Sequence, residues 1–256
     1  MKIEVFYHIC AKTGSEALSI IEEQLTTLKE SEIYDNIDKI NCCIVGDDNF
    51  NFMHLFQKIP KYGDKFKVAK TGFKDTSYER FTLNFMRNNM IDDRYYLYLH
   101  SKGVTKTNNE NIKDWRRCME YFLIKNGNKC IEKLNEGYDT VGIMKHPWAP
   151  YPHYSGNFWW ARGDYLKRLF NEKQIMSDYT GPEMFVLSNN PKAYDFYPIH
   201  HINPQYNGYY QRLPETTYAQ LDQRQLQERY VHVYGIAGLG NSIFQICSAI
   251  YYCEKY

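Results

Sequence analysis

The stretch YYLYLHSKGV, residues 95–104, runs strand-forming residues straight into His100, Ser101, Lys102 and Gly103. In open α/β sheets ligands bind beyond the carboxyl ends of the strands, so an imidazole, a hydroxyl and an ammonium are placed where chemistry is done. The ordinary alternative is a buried strand followed by a solvated turn. Two further strand ends carry polar groups, Tyr7 with His8 and Asp47 with Asp48. Parallel strands bring such ends to one edge of a sheet, where they line a single cleft.

Three downstream segments add candidates. In HYSGNFWWARGDYLKRLF (153–170), Gly156 removes a side chain just before a bulky extended run, permitting close approach of a ligand or another backbone. Trp159 and Trp160 point to opposite faces of that strand, so at most one faces a cleft, and a buried core Trp competes with that reading. In YTGPEMFVL, Pro182 opens a helix with Glu183 just inside it. A carboxylate there is favoured by the helix dipole, or serves as a general base aimed at a hydroxyl. YPIHHINP ends an apolar run with His200 and His201, one of which is able to ligate a cation as neutral imidazole.

The elements that must position these groups alternate. Strands are predicted over 3–10, 39–48, 65–73, 95–100 and 139–144. Helices are predicted from GSEALSIIEEQLTTLKES, with Ser15 as N-cap, from NFMHLFQKI, from SYERFTLNFMRNN, and around Ile112, Trp115, Met119 and Phe122. This order predicts an α/β sandwich with a largely parallel sheet. The pattern changes near residue 204. Residues 205–229 read as a linker or peripheral helix, and 230–256 as the single opening βα unit of a second domain, with more domain expected beyond residue 256.

Composition sets bounds. The chain has 256 residues, 43% apolar and 24% charged, with a net charge of +1. Those values fit a globular domain and give no electrostatic argument for nucleic acid or an anionic membrane. The 24 tyrosines and 14 phenylalanines suit stacking on sugars or bases, although a compositional bias explains them equally well. Seven cysteines without a C-x-x-C pair indicate neither a zinc site nor a disulfide framework, and predict reduced thiols. With no leader-like or membrane-length apolar run, a soluble cytoplasmic protein is expected.

Together, YHI, YLYLHSKGV, DWRRCMEYF, GYDTVGIMKHP and HYSGNFWWA resemble a family of glycosyltransferases found in bacteria and large DNA viruses. SGNFWWAR is also similar to the MFWAR stretch of rhamnan-synthesis glycosyltransferases. The resemblance covers roughly residues 1–204 and implies a GT-A-like, Rossmann-type α/β/α sandwich with a mostly parallel central sheet. It implies transfer of a sugar from a nucleotide-diphosphate sugar to a glycan acceptor. Tyr7, His8, Asp47 and Lys70 become candidates for nucleotide or sugar contact, with His100, Ser101 and Lys102 near the diphosphate. His153, Tyr154, Gly156, Asn157 and Trp159 fall on the acceptor side, with Glu183 as catalytic base and His153 as a second catalytic candidate. A metal-completing histidine is expected at His201, with His100 as a further ligand for Mn²⁺ or Mg²⁺.

One departure stands out: His100-Ser101-Lys102 occupies the place where GT-A enzymes carry Asp-x-Asp. Either Lys102 neutralises the diphosphate, or His100 and His201 with a carboxylate hold a metal. The departure also leaves open a catalytically silent carbohydrate- or nucleotide-binding module. Near the C-terminus, Gly238, Gly240, Asn241, Phe244 and Gln245 are similar to the GGLGNQLFQ opening of fucosyltransferase-type GT-B domains.

Overall fold

The computed structural model describes residues 2–11, 15–46, 52–73, 78–146 and 152–219. Chain contacts separate a compact unit, Met1–Ala219, from Gln220–Tyr256. The second unit, with the glycine-rich motif at 238–245, lies outside the described residues, as do Asp47 and Asp48.

Within the first unit the order is β1 (Lys2–Ala11), α1 (Ser15–Glu30), β2 (Ile37–Gly46), α2 (Phe52–Lys58), β3 (Phe66–Phe73), α3 (Arg80–Arg87) and β4 (Arg94–His100). It continues with α4 (Glu110–Glu120), α5 (Gly127–Asn135), β5 (Thr140–Gly142), β6 (Lys145–His146), β7 (His153–Tyr154), β8 (Trp159–Arg162) and α6 (Gly163–Glu172). The last elements are α7 (Gly181–Phe185), β9 (Ala193–Asp195), α8 (Ile199–Ile202) and α9 (Glu215–Tyr218). Seven strands form one sheet in the order β3-β2-β1-β4-β8-β5-β9. Most pairs are parallel, as expected for alternating strands and helices; β8 alone runs antiparallel, to both β4 and β5. No helix among the described residues is long and apolar enough to cross a membrane.

Register decides which side chains reach the site. β1 pairs with β4 so that His8 lies opposite His100, and residues paired this way point to the same face. Phe6, Tyr96 and Tyr98 share that face and form a core with Leu83 and Met86 of α3 and Leu166 and Leu169 of α6. Tyr7 points the other way, where its hydroxyl donates to Gln24 Oε1 at 2.8 Å.

Part of the tyrosine excess goes into this interior: Tyr7, Tyr96, Tyr98, Tyr154 and Tyr165 are fully buried. Trp159 and Trp160 are both buried as well. Trp159 stacks on Tyr98 with centroids 5.1 Å apart, and Trp160 donates to the Leu123 carbonyl at 2.8 Å. Neither faces a cleft, because β8 lies inside the sheet, between β4 and β5, with both of its faces covered.

Helix α4 starts where Asn109 caps it, its Oδ1 accepting from the Asn111 and Ile112 amides. The stretch expected as linker or peripheral helix packs on α4 as far as Ala219. Leu213 N donates to Asp114 Oδ2 at 3.2 Å, and Tyr121 donates to the Ala219 carbonyl at 3.1 Å. Trp159→Ala is expected to cost about 3–5 kcal/mol of stability, as for other buried Trp truncations. A urea titration losing less than about 1 kcal/mol would contradict the packing role.

Candidate functional site

Beyond the carboxyl ends of β1 and β4 lies a hollow of about 230 Å³. His8, His100, Ser101, Lys102, Gly156, Asn157 and Glu183 all line it, so four separate segments of the sequence converge there. The β4 end is tied to β1: Ser101 N donates to the His8 carbonyl at 2.9 Å, and Ser101 Oγ accepts from Cys10 N at 2.8 Å. That geometry makes Ser101 a structural clasp at the edge of the hollow.

Lys102 is buried, and burial lowers the pKa of its ammonium, partly offset by Glu183 and Glu79. Its Nζ sits 3.7 Å from the centre of the Trp115 ring, and no carboxylate among the described residues comes within ion-pair distance of it. A cation–π contact compensates part of the lost hydration and leaves the ammonium's hydrogen-bonding capacity unused. The DWRRCMEYF segment underpins this position. Arg116 donates to the Lys102 carbonyl at 3.4 Å and pairs with Glu23 at 2.6 Å and Glu120 at 3.3 Å. Trp115 itself is backed by Gly208, where a Cβ would stand 2.4 Å from the indole.

The turn at residues 154–157 adds Gly156 and Asn157 to the lining. Asn157 N donates to the Tyr154 carbonyl at 3.0 Å, closing a turn in which Gly156 has φ 91°. The turn needs glycine there, and a Cβ would also meet Met119 Sδ at 2.6 Å. Gly156 N donates to Glu183 Oε1 at 2.7 Å, while the Gly156 carbonyl accepts from His100 Nε2 at 2.9 Å. Glu183 Oε2 takes no hydrogen bond among the described residues, which leaves it open towards the hollow. Burial pushes His8 down to about 4 and His100 down to about 3, with Lys102 adding to the latter, so both imidazoles are neutral.

Other expected residues lie elsewhere. Tyr7 faces α1, because alternation along β1 sends His8, not Tyr7, to the hollow. Lys70 stands on the edge strand β3 with its ammonium 4.5 Å from the Phe81 ring centre, away from the lining. Tyr154 is core: its hydroxyl donates to the Tyr194 carbonyl at 3.0 Å, and its ring fills the space beside Gly142. Trp159, behind Tyr98, is likewise not an acceptor contact. His153 stacks on His146 at 5.2 Å, outside the lining, and His201 is on α8, also outside it.

Among the described residues, no donor set is found for the metal expected at His100 and His201. His100 Nε2 is committed to a carbonyl, and no group of three His, Cys, Asp or Glu side chains suited to a cation occurs among the described residues.

Glu79 lines the hollow too and was not expected. Its Oε2 accepts from the Tyr98 hydroxyl at 2.8 Å and from Asn157 Nδ2 at 2.7 Å. The sequence offers only a carboxylate just ahead of α3, where the helix dipole accounts for it. Tyr78, Tyr179 and Tyr209 form an aromatic rim around the opening, Tyr179 being 75% exposed.

Because the Lys102 ammonium is buried without an ion-pair partner among the described residues, Lys102→Met is expected to melt at the same temperature as the wild type or higher. A fall of several degrees in a thermal melt would show that the ammonium is needed to hold the fold.

Comparison with curated proteins finds no match. Among solved structures, the bifunctional IspDF from Campylobacter jejuni aligns with a TM-score of 0.39 and 7% identity, over 87% of this chain and 55% of that one. This chain thus spans little more than half of that protein's length. A 4-diphosphocytidyl-2C-methyl-D-erythritol synthase aligns at TM-score 0.38 and 11% identity, covering 76% of this chain and 89% of that one. The corresponding synthase from Anaerococcus prevotii DSM 20548 aligns at 0.37 and 11%, covering 88% and 98%. At the level of sequence families, one family model matches residues 6–217, and that span contains every residue lining the hollow. The chain belongs to the family described as Domain of unknown function (DUF8361).

Proposed function

We propose that this chain is a GT-A-type glycosyltransferase that moves a sugar from a nucleotide-diphosphate sugar to a glycan acceptor with inversion. One observation carries the reading. A buried ammonium with no counter-ion among the described residues, Lys102, and a carboxylate whose second oxygen takes no hydrogen bond among them, Glu183, face the same hollow at the carboxyl edge of the sheet. The two groups suit the two ends of a displacement reaction. Glu183 Oε2 takes the proton of the acceptor hydroxyl as that oxygen bonds to the anomeric carbon. The bond from that carbon to the phosphate oxygen breaks, and its electron pair leaves on the nucleoside diphosphate. Lys102 offsets the negative charge that develops there.

At about 230 Å³ the hollow is smaller than pockets enclosing a drug-sized ligand, about 300–1,000 Å³. It suits the reacting end of the sugar nucleotide, with the rest of the molecule outside. The exposed rings of Tyr78, Tyr179 and Tyr209 at the opening suit stacking against a sugar or base face.

Glu183→Gln retains an oxygen for the Gly156 amide and loses the base. Release of free nucleoside diphosphate from a sugar nucleotide in the presence of acceptor is expected to fall by about 10²–10⁴-fold, with sugar-nucleotide affinity nearly unchanged. Undiminished turnover would remove Glu183 from the mechanism. Failure of the wild-type protein to release nucleoside diphosphate from any of a panel of UDP-, GDP- and TDP-sugars would remove the reading altogether.

A further inference from the structure

Two hydrogen-bond acceptors confront each other across the hollow. The Gly156 carbonyl can only accept, so His100 Nε2, 2.9 Å away, carries the ring proton. Nδ1 of this neutral ring therefore presents a lone pair. It lies 4.0 Å from Glu79 Oε1.

The Glu79 side is equally fixed. Trp159 Nε1 is a donor only and lies 3.0 Å from Asn157 Oδ1, so the Asn157 amide must turn its NH₂ towards Glu79. That NH₂ and the Tyr98 hydroxyl both engage Glu79 Oε2. Oε1 is left aimed at the imidazole lone pair, and among the described residues neither atom has a donor. Both residues border the hollow, where the O–H donors of a ligand can meet these acceptors.

Building on the glycosyltransferase reading, we propose that Glu79 and His100 form the subsite that recognises the transferred sugar. Adjacent hydroxyls of a hexose donate one to Glu79 Oε1 and the other to His100 Nδ1. Phosphate oxygens, which are acceptors, are turned away from this wall and towards Lys102. The Glu79 carboxylate is thus a specificity determinant for the sugar, distinct from the Glu183 base. Its buried anchors, Tyr98 and Asn157, hold it in place before the ligand arrives.

Calorimetry with UDP-, GDP- and TDP-hexoses, each beside its free nucleoside diphosphate, tests this on the wild type and on Glu79→Gln. Glutamine keeps an oxygen for Tyr98 and Asn157 and turns its NH₂ to His100 Nδ1, closing the gap from within. The wild type is expected to bind one sugar nucleotide at least about tenfold more tightly than the free diphosphate, the size of a charge-assisted hydrogen bond. Glu79→Gln is expected to keep the diphosphate affinity, lose that preference and melt no lower than the wild type. Retention of the preference overturns the proposal, and so does loss of diphosphate binding, which would make Glu79 a general support of the site. Independently of any variant, the wild type is expected to bind monodeoxy-hexose analogues of its preferred sugar nucleotide more weakly at two adjacent positions. Equal binding at all positions overturns the subsite. A wild type that binds neither diphosphates nor sugar nucleotides defeats the glycosyltransferase reading itself, and the subsite with it.

Discussion

The backbone of Gly156 is the constraint on which the site depends. Its amide holds the Glu183 carboxylate and its carbonyl holds the His100 ring, so one residue fixes a candidate base and the end of β4 relative to each other. Both contacts require the backbone to come close, which only a residue without a side chain allows between Met119 and Trp115. The left-handed conformation at Gly156 then turns the chain so that Asn157, itself at φ 55°, reaches Glu79. A methyl group at position 156 would act on three walls of the hollow at once. The geometry of the site is therefore set by main-chain hydrogen bonds as much as by its charged side chains.

A second layer keeps Lys102 where it is. The ammonium rests on Trp115, which is wedged by Gly208, while Arg116 on the same helix reaches the Lys102 carbonyl. Arg116 is buried among Glu23 and Glu120, and burial pushes the Glu120 carboxyl up to about 7, with Arg116 pulling against that rise. Most of the charge of DWRRCMEYF is thus spent inside the protein. Its service to the hollow is indirect, through the loop it holds.

Much of this was legible in the sequence, and the misses share a cause. The strand–helix alternation gave the sheet, and the polar residues ending β1 and β4 marked the edge where the hollow lies, because burial and strand length leave clear signals in composition. Gly156 and Glu183 were legible for similar reasons: a glycine before a bulky strand and a Pro–Glu helix start are local features. What could not be read was facing. Tyr7 and His8 are neighbours, and only the pairing of β1 with β4 tells which of them meets the hollow. Trp159 is hidden because β8 is an interior strand running against both of its neighbours, which no local pattern reveals. Glu79 escaped for the opposite reason: a carboxylate before a helix has an ordinary explanation, and its partners are 19 and 78 residues away.

The distribution of satisfied and unsatisfied groups around the hollow separates scaffold from working surface. Ser101, Asn157 and the Gly156 backbone have their hydrogen bonds met within the protein. Lys102 Nζ, Glu183 Oε2, Glu79 Oε1 and His100 Nδ1 do not among the described residues, and all four residues face the same space. Burying the Lys102 ammonium carries a desolvation cost that a core selected only for stability would avoid. The concentration of these four groups in one hollow is what a preformed site for a polar ligand requires. An ammonium and two carboxylates in one hollow suit a ligand that carries both negative charge and hydroxyl donors.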